Sequence, residues 1–166
     1  MMPFDADEEA GGKQAARTGR LRCAEIMTRN VTTANVELDL QSIARLMRDE
    51  DLGVLPVVDA AQKLVGVVTD RDVVVRAAAD GLDLKQTKVA EIMTRELHTA
   101  RENDFVFQAI RLMGDKQIRR VPVINETGEL AGILSLADIA LETEDEREIA
   151  EALEDISSGS AFWRKK

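Results

Sequence analysis

The chain has 166 residues and carries 31 Asp and Glu against 22 Lys and Arg, a net charge of −9. That balance excludes general affinity for nucleic acid or anionic lipid, whose phosphates an acidic surface repels, but leaves room for one local basic pocket for a small anion. Cys23 and His98 are the single cysteine and histidine, too few for an intrachain disulfide or for a zinc site of the usual ligand number.

Hydrophobic residues make up 45% of the chain and aromatics 3%, so aliphatic side chains must fill the core. Residues 1–20 are polar, with Asp5, Asp7, Glu8, Glu9 and Gly11-Gly12 and no apolar run. They read as a disordered tail and not as a secretory signal. No stretch approaches the roughly 20 apolar residues of a membrane-spanning helix. The expectation is a cytoplasmic protein that touches neither membrane nor nucleic acid.

After the tail comes Ala24-Glu25-Ile26-Met27-Thr28-Arg29, and Val31-Thr32-Thr33 is a short β-prone run. Asp39 is placed to cap a helix whose apolar stripe is Ile43, Leu46 and Met47, spaced i, i+3, i+4. Residues 54–58 read as a strand, and Pro56 within it predicts an edge position or a strand start. A polar turn over 59–63 leads to a second strand, 64–68. Thr69 or Asp70 then caps a helix to about residue 79, which Gly81 terminates.

The same order then recurs. Ala90-Glu91-Ile92-Met93-Thr94-Arg95 repeats the first motif at an offset of 66 residues, position 24 against position 90. The same offset carries Arg45-Leu46-Met47 onto Arg111-Leu112-Met113, Pro56-Val57 onto Pro122-Val123, Gly66 onto Gly132 and Asp72 onto Asp138, without a gap. His98 falls in the short first strand of this second unit and Asn103 is placed to cap its first helix, around Val106, Ile110 and Met113. The hairpin turn is Glu126-Thr127-Gly128, and Ser135 caps the following helix. Met27, Met47, Met93 and Met113 recur with the repeat and read as core filling. Cys23 reads as a small packed or surface residue.

The fold class is therefore α/β (α+β), two β-α-β-β-α repeats, over 21–83 and 84–143. Each is small for a core of its own, so the two are expected to pack sheet against sheet with pseudo-two-fold symmetry. Residues 144–166 form the remainder. An acidic extra helix is expected over 142–155, with Ile149, Leu153 and Ile156 at helical spacing and a solvated acidic face over 142–148. A flexible link, Ser157-Ser158-Gly159-Ser160, leads to a tail with Phe162 and Trp163.

Three motifs now stand in duplicate. They are Ile-Met-Thr at each repeat start, a strand ending x-x-Pro-Val, and Gly66-Val67-Val68-Thr69-Asp70-Arg71-Asp72 matched by Gly132-Ile133-Leu134-Ser135-Leu136-Ala137-Asp138. In these the chain resembles the cystathionine-β-synthase (CBS) domain family, over about residues 23–141. More closely, it is similar to the tandem pair called a Bateman module, in the small stand-alone form found in bacteria and archaea. The resemblance implies a regulatory module without catalytic activity. It would need no cofactor and would sense an adenine nucleotide (AMP, ADP, ATP or a related adenosyl compound) on behalf of a regulated partner protein not named by the sequence. It also implies a homodimer formed through helices, consistent with apolar residues over 73–79 and 139–141. The alternative is a protein-interaction or scaffolding module with empty clefts.

Asp72 and Asp138 have a carboxylate able to accept both ribose hydroxyls, and Thr69 and Ser135 a hydroxyl for a phosphate. The same Thr/Ser-x-x-Asp spacing is also a capping box, satisfying the helix's own first N–H groups. Both readings stand at this point. The resemblance implies that each cleft combines the x-x-Pro strand of one repeat with the Asp motif of the other. The better cleft would hold Thr99, Arg119, Arg120 and Pro122 with Thr69, Arg71 and Asp72. The second would hold Thr33, Val54 and Pro56 with Ser135, Ala137 and Asp138. Only the first has arginines, which fork onto phosphate oxygens. No Ser or Cys nucleophile with a base partner stands out, and His98 has none of the company a catalyst needs.

Overall fold

The computed structural model describes residues 21–142 and 146–158. The tails expected over 1–20 and 159–166, Phe162 and Trp163 among them, lie outside the described residues.

The elements in chain order are α1 (Cys23–Ile26), β1 (Ala34–Asn35), α2 (Leu40–Asp49), β2 (Val54–Val58), β3 (Leu64–Thr69), and α3 (Asp70–Asp72), which continues as a π-helical segment (Val73–Ala78). Then follow α4 (Val89–Ile92), β4 (Ala100–Arg101), α5 (Val106–Lys116), β5 (Arg120–Ile124), β6 (Leu130–Ser135), α6 (Leu136–Glu142) and α7 (Glu146–Ser158). Two three-stranded sheets result, ordered β1-β2-β3 and β4-β5-β6. The duplicated β-α-β-β-α order is present in full, and Gly66 and Gly132 are each the third residue of their strand.

The chain forms two compact units. One contains residues 30–97 with the hairpin tip 124–130; the other contains 21–29, 98–123 and the described residues from 131 onward. Each sheet thus folds together with the Ile-Met-Thr segment that begins the other repeat. In the first unit Thr94 exchanges both backbone hydrogen bonds with Val67 of β3, at 3.0 and 2.8 Å. In the second, Thr28 does the same with Ile133 of β6, at 2.9 Å each way. The reason for glycine beside these residues is steric. A Cβ on Gly66 would stand 2.6 Å from Met93 Sδ, and one on Gly132 2.7 Å from Met27 Sδ. The three recurring motifs are therefore parts of one packing arrangement, met twice.

Local chemistry explains most boundaries. Asp39 caps α2 by accepting from the Ser42 N–H at 2.9 Å, and Ile43 and Met47 are buried beneath it. Val106, Ile110 and Met113 do the same for α5, and all four recurring methionines are buried. The helix after β3 ends at Ala78, and the turn beyond it contains Gly81, which takes the positive φ of 68° that its place requires.

Several expectations are corrected. Pro56 lies in the central strand, not at an edge. It faces Val67 across the antiparallel pair, and Val67 spends its N–H and C=O on Thr94 on the other side. The missing proline N–H therefore points toward β1, which pairs only with Val57 and Val58 and stops short of Pro56. The first strands begin later than the β-prone run: Thr33, His98 and Thr99 precede β1 and β4. Asn103 does not cap α5; Phe105 is the N-cap residue, and the Gln108 side chain accepts from its N–H at 2.9 Å. In α7 the buried residues are Ile149 and Ala152, with Ile156 half-buried, and Leu153 is 45% exposed. Gly114 of α5 lies against this helix: a Cβ there would stand 3.2 Å from Asp155 Oδ2 and 3.7 Å from the Ala152 Cα. Ser157 and Ser158 belong to α7 and not to a link. Glu142 and Arg147 are exposed as a solvated face requires.

Candidate functional site

Part of the candidate set meets where each sheet hands over to a helix. In the first unit, Val54 at the start of β2 stands directly opposite Thr69 at the end of β3. The Asp70 N–H donates to the Gly53 carbonyl at 3.2 Å, and the Leu136 N–H makes the equivalent bond to the Arg119 carbonyl at 3.0 Å. Gly53 with Asp70, and Arg119 with Leu136, are therefore matched places in the two repeats. Thr33, Val54, Pro56, Thr69, Arg71 and Asp72 all belong to the first unit. Thr99, Arg119, Arg120, Pro122, Ser135, Ala137 and Asp138 all belong to the second.

The capping box is formed in both. Asp72 Oδ2 accepts from the Thr69 N–H and hydroxyl, each at 2.9 Å, and the Asp72 N–H donates to Thr69 Oγ1 at 3.1 Å. Asp138 Oδ2 accepts from the Ser135 hydroxyl at 2.6 Å and the Ser135 N–H at 3.3 Å, and its own N–H returns a bond to Ser135 Oγ at 3.0 Å. A hydroxyl has one proton to give. Thr69 and Ser135 spend theirs on the neighbouring aspartate, so neither offers it to a phosphate without turning away. The second carboxylate oxygen of each aspartate stays outside the box. In Asp72, Oδ1 lies 3.4 Å from Arg76 Nε.

The two units differ in charge. Arg120 at the head of β5 is exposed while Val121 beside it is fully buried, as alternation demands. Arg119 is exposed too. Neither guanidinium forms an ion pair among the described residues, so both are available to an anion. The matching places in the first repeat are Gly53 and Val54, and there the Asp70 carboxylate stands 3.6 Å from where a Gly53 side chain would begin. One strand entry is cationic and the other anionic. Arg71 is exposed, and Pro56 and Pro122 are buried. Ala137 is exposed and Thr33 and Thr99 are half-buried.

Other groups are ordinary. Burial, with the Asp104 carboxylate adding to it, pushes the Cys23 thiol up to about 11. Among the described residues no cluster of three His, Cys, Asp or Glu could hold a metal ion. No helix among them is long and apolar enough to cross a membrane. Sequence reasoning missed Arg76, although its spacing of four from Asp72 is the signal of a helical ion pair. It also missed Asp70, which aligning the repeats at Leu136 would have shown.

With this geometry in place, the comparisons decide the family. Residues 23–78 and 89–145 match the CBS domain model. The chain belongs to the CBS-domain family. It is 36% identical over 133 residues to the CBS domain-containing protein YhcV of Bacillus subtilis, covering 80% of this chain and 93% of that one. The crystal structure of Hypoxic Response Protein I with two coordinated zinc ions matches with a TM-score of 0.67 and 34% identity, over 72% of this chain and 97% of that one. The CBS domain pair of protein MJ0100, in complex with 5′-methylthioadenosine and S-adenosyl-L-methionine, matches with a TM-score of 0.65 and 28% identity. That match covers 73% of this chain and 94% of the other. This chain is thus a tandem CBS pair, two small sheets with helices, similar to stand-alone CBS proteins.

Proposed function

We propose that this CBS pair is a non-enzymatic sensor of an adenine nucleotide, acting in the cytoplasm. The reading rests on one observation above the others: Arg119 and Arg120 stand exposed and without ion-pair partners among the described residues, at the head of a CBS strand, in a chain of net charge −9. A phosphate entering such a protein needs local cations to offset the general repulsion, and these two are placed for it. Asp72 supports the reading from the ribose side, because its Oδ1 takes no part in the capping box. A carboxylate has about four acceptor positions, so cap and ligand roles coexist. The adenosyl compounds bound by the MJ0100 pair are chemically related ligands. The proposed ligand-binding residues are those the family resemblance implies: Arg119, Arg120, Thr99, Pro122, Thr69, Arg71 and Asp72 for the nucleotide, and Thr33, Val54, Pro56, Ser135, Ala137 and Asp138 for a weaker or phosphate-free occupant.

The ligand acts by favouring one of two states, which a regulated protein then reads. Self-association into a homodimer accompanies this. Val74, Val75 and Leu141 are exposed at 61%, 51% and 86%, apolar surface that association of these helices with a second copy would cover. Sedimentation at micromolar concentration should show the dimer, and a monomer would count against it.

The sensor reading is tested by a thermal-shift series with AMP, ADP, ATP, S-adenosylmethionine and adenosine. A ligand that binds only the folded state raises the midpoint, by an amount equivalent to about 2.7 kcal/mol at a hundredfold excess over Kd. A shift with at least one phosphate-bearing compound is expected. No shift with any of them would leave the interaction module as the better reading.

A further inference from the structure

Arg76 touches two things at once. Its Nε lies 3.4 Å from Asp72 Oδ1, and its Nη1 donates to the Ile92 carbonyl at 2.8 Å. Ile92 ends α4, and the next two residues fasten the start of the second repeat to the first sheet. Met93 lies against Gly66, and Thr94 exchanges two backbone hydrogen bonds with Val67. One guanidinium therefore bridges a candidate ribose acceptor and a backbone anchor. The other unit has the same box and the same anchor, between Thr28 and Ile133. At the register position of Arg76, however, it has Glu142, which has no hydrogen to give to the Ile26 carbonyl.

We propose that Arg76 is a latch through which Asp72 controls how firmly residues 92–95 are held on β3, and that only the first repeat has one. Asp72 is 13% exposed at its side chain and Arg76 49%, so the carboxylate is what keeps the guanidinium turned inward. A charge-assisted bond to a backbone carbonyl is stronger than a neutral one but depends on that orientation. When hydroxyl donors engage Oδ1, or when its charge is removed, the guanidinium turns to solvent and Ile92 loses its donor. Thr94 meets Val67 of β3 at a single isolated bridge and not as part of a longer strand, the kind of place that opens locally. The chain passes from one compact unit to the other just beyond it, between Leu97 and His98.

The ligand arm of this proposal rests on the sensor reading, but its core does not. The test is amide hydrogen exchange at Thr94 and Val67, with Thr28 and Ile133 as controls inside the same molecule. Asp72→Asn keeps an oxygen for Thr69 and removes the charge. Arg76→Ala and Asp72→Asn should each speed exchange at Thr94 and Val67 about tenfold, the scale of one charge-assisted bond. The double variant should add little to either. Asp138→Asn should leave Thr28 and Ile133 unchanged. Saturating adenosine should speed exchange at Thr94 in the parent protein and not in Arg76→Ala. Unchanged exchange at Thr94 in Asp72→Asn overturns the latch, and so does an equal effect of Asp138→Asn on Thr28. If calorimetry finds no adenosine binding, the sensor reading is what fails, and the Asp72→Asn comparison still decides the latch. If adenosine binds and Thr94 does not respond, the latch is wrong and the sensor reading stands.

Discussion

Adding one methyl group at Gly132 should cost more than adding it at Gly66. At Gly66 a new Cβ would meet Met93 Sδ at 2.6 Å, Met93 Cγ at 3.0 Å and the Thr94 carbonyl oxygen at 3.1 Å. At Gly132 it would meet Met27 Sδ at 2.7 Å, Met27 Cγ at 2.9 Å and the Thr28 carbonyl oxygen at 2.8 Å. A methionine swings aside at modest cost, because its chain is unbranched and soft. A carbonyl does not, and that of Thr28 is pinned by the Ile133 N–H at 2.9 Å. Overpacking a close-packed interior costs about 1–3 kcal/mol, with Gly66→Ala expected toward the lower end and Gly132→Ala toward the upper. Urea unfolding reads this directly. With a slope of about 2 kcal/mol per molar, a loss of about 2 kcal/mol lowers the midpoint by about 1 M. Shortening the facing methionine separates the two contacts. Met93→Ala should restore part of the Gly66→Ala loss, while Met27→Ala should restore less of the Gly132→Ala loss, because the carbonyl clash remains. Two neutral alanine variants, or an inverted order, would refute the packing of Ile-Met-Thr on glycine.

Cys23, buried with its thiol pushed up to about 11, should resist iodoacetamide at pH 8 in the folded protein and react on addition of denaturant; rapid labelling without denaturant would contradict its burial. Asp39 has its carboxyl held below the usual range, first by the Ser42 backbone N–H and then by the Ser42 hydroxyl. A depressed folded-state value means that its contribution is present at neutral pH and lost as pH falls through that lowered value. Asp39→Ala should therefore lower the melting temperature at pH 7 and lose most of that difference at strongly acid pH, where a constant difference would count against the cap. Asp39→Asn, which keeps an acceptor oxygen, should lie between the two at pH 7.

The repeat made most of the fold legible. Periodicity found α2 and α5, and the polar turns over 59–63 and Glu126-Thr127-Gly128 found the hairpins. What periodicity does not contain is the partner of a segment. Nothing in the spacing of Met27 states that it lies on Gly132 and not on Gly66, because both repeats carry the same pair and only the path of the chain chooses. Pro56 misled because a proline in a central strand is tolerated when the neighbouring strand is two residues long, a fact about β1 and not about Pro56. Helical spacing put Leu153 on one stripe with Ile149 and Ile156, but it does not say which side of that stripe packs on α5, and the side buried is the one with Ala152. The aspartates of the candidate site were legible as a choice between a cap and a ligand contact. The structure forms the cap and leaves an oxygen over. The cationic and anionic strand entries were half legible: Arg119 and Arg120 were visible in sequence, and the place of Asp70 beside Gly53 at the matching point of the first repeat was not.

Calorimetric titration of AMP and adenosine into the parent protein and into Arg120→Ala, Asp72→Ala and Asp138→Ala tests the proposed sensor most directly. Losing one charge-assisted contact should weaken AMP binding about tenfold or more, some 1.4 kcal/mol per factor of ten. Both Arg120→Ala and Asp72→Ala are expected to show it, with Asp138→Ala affected less. Adenosine, which has no phosphate, should lose affinity in Asp72→Ala and keep it in Arg120→Ala. If Asp138→Ala is the most damaging change, the nucleotide sits in the other cleft; if none of the three changes the affinity, Thr69 and Asp72 form only a helix cap and the proposed sensor role is contradicted.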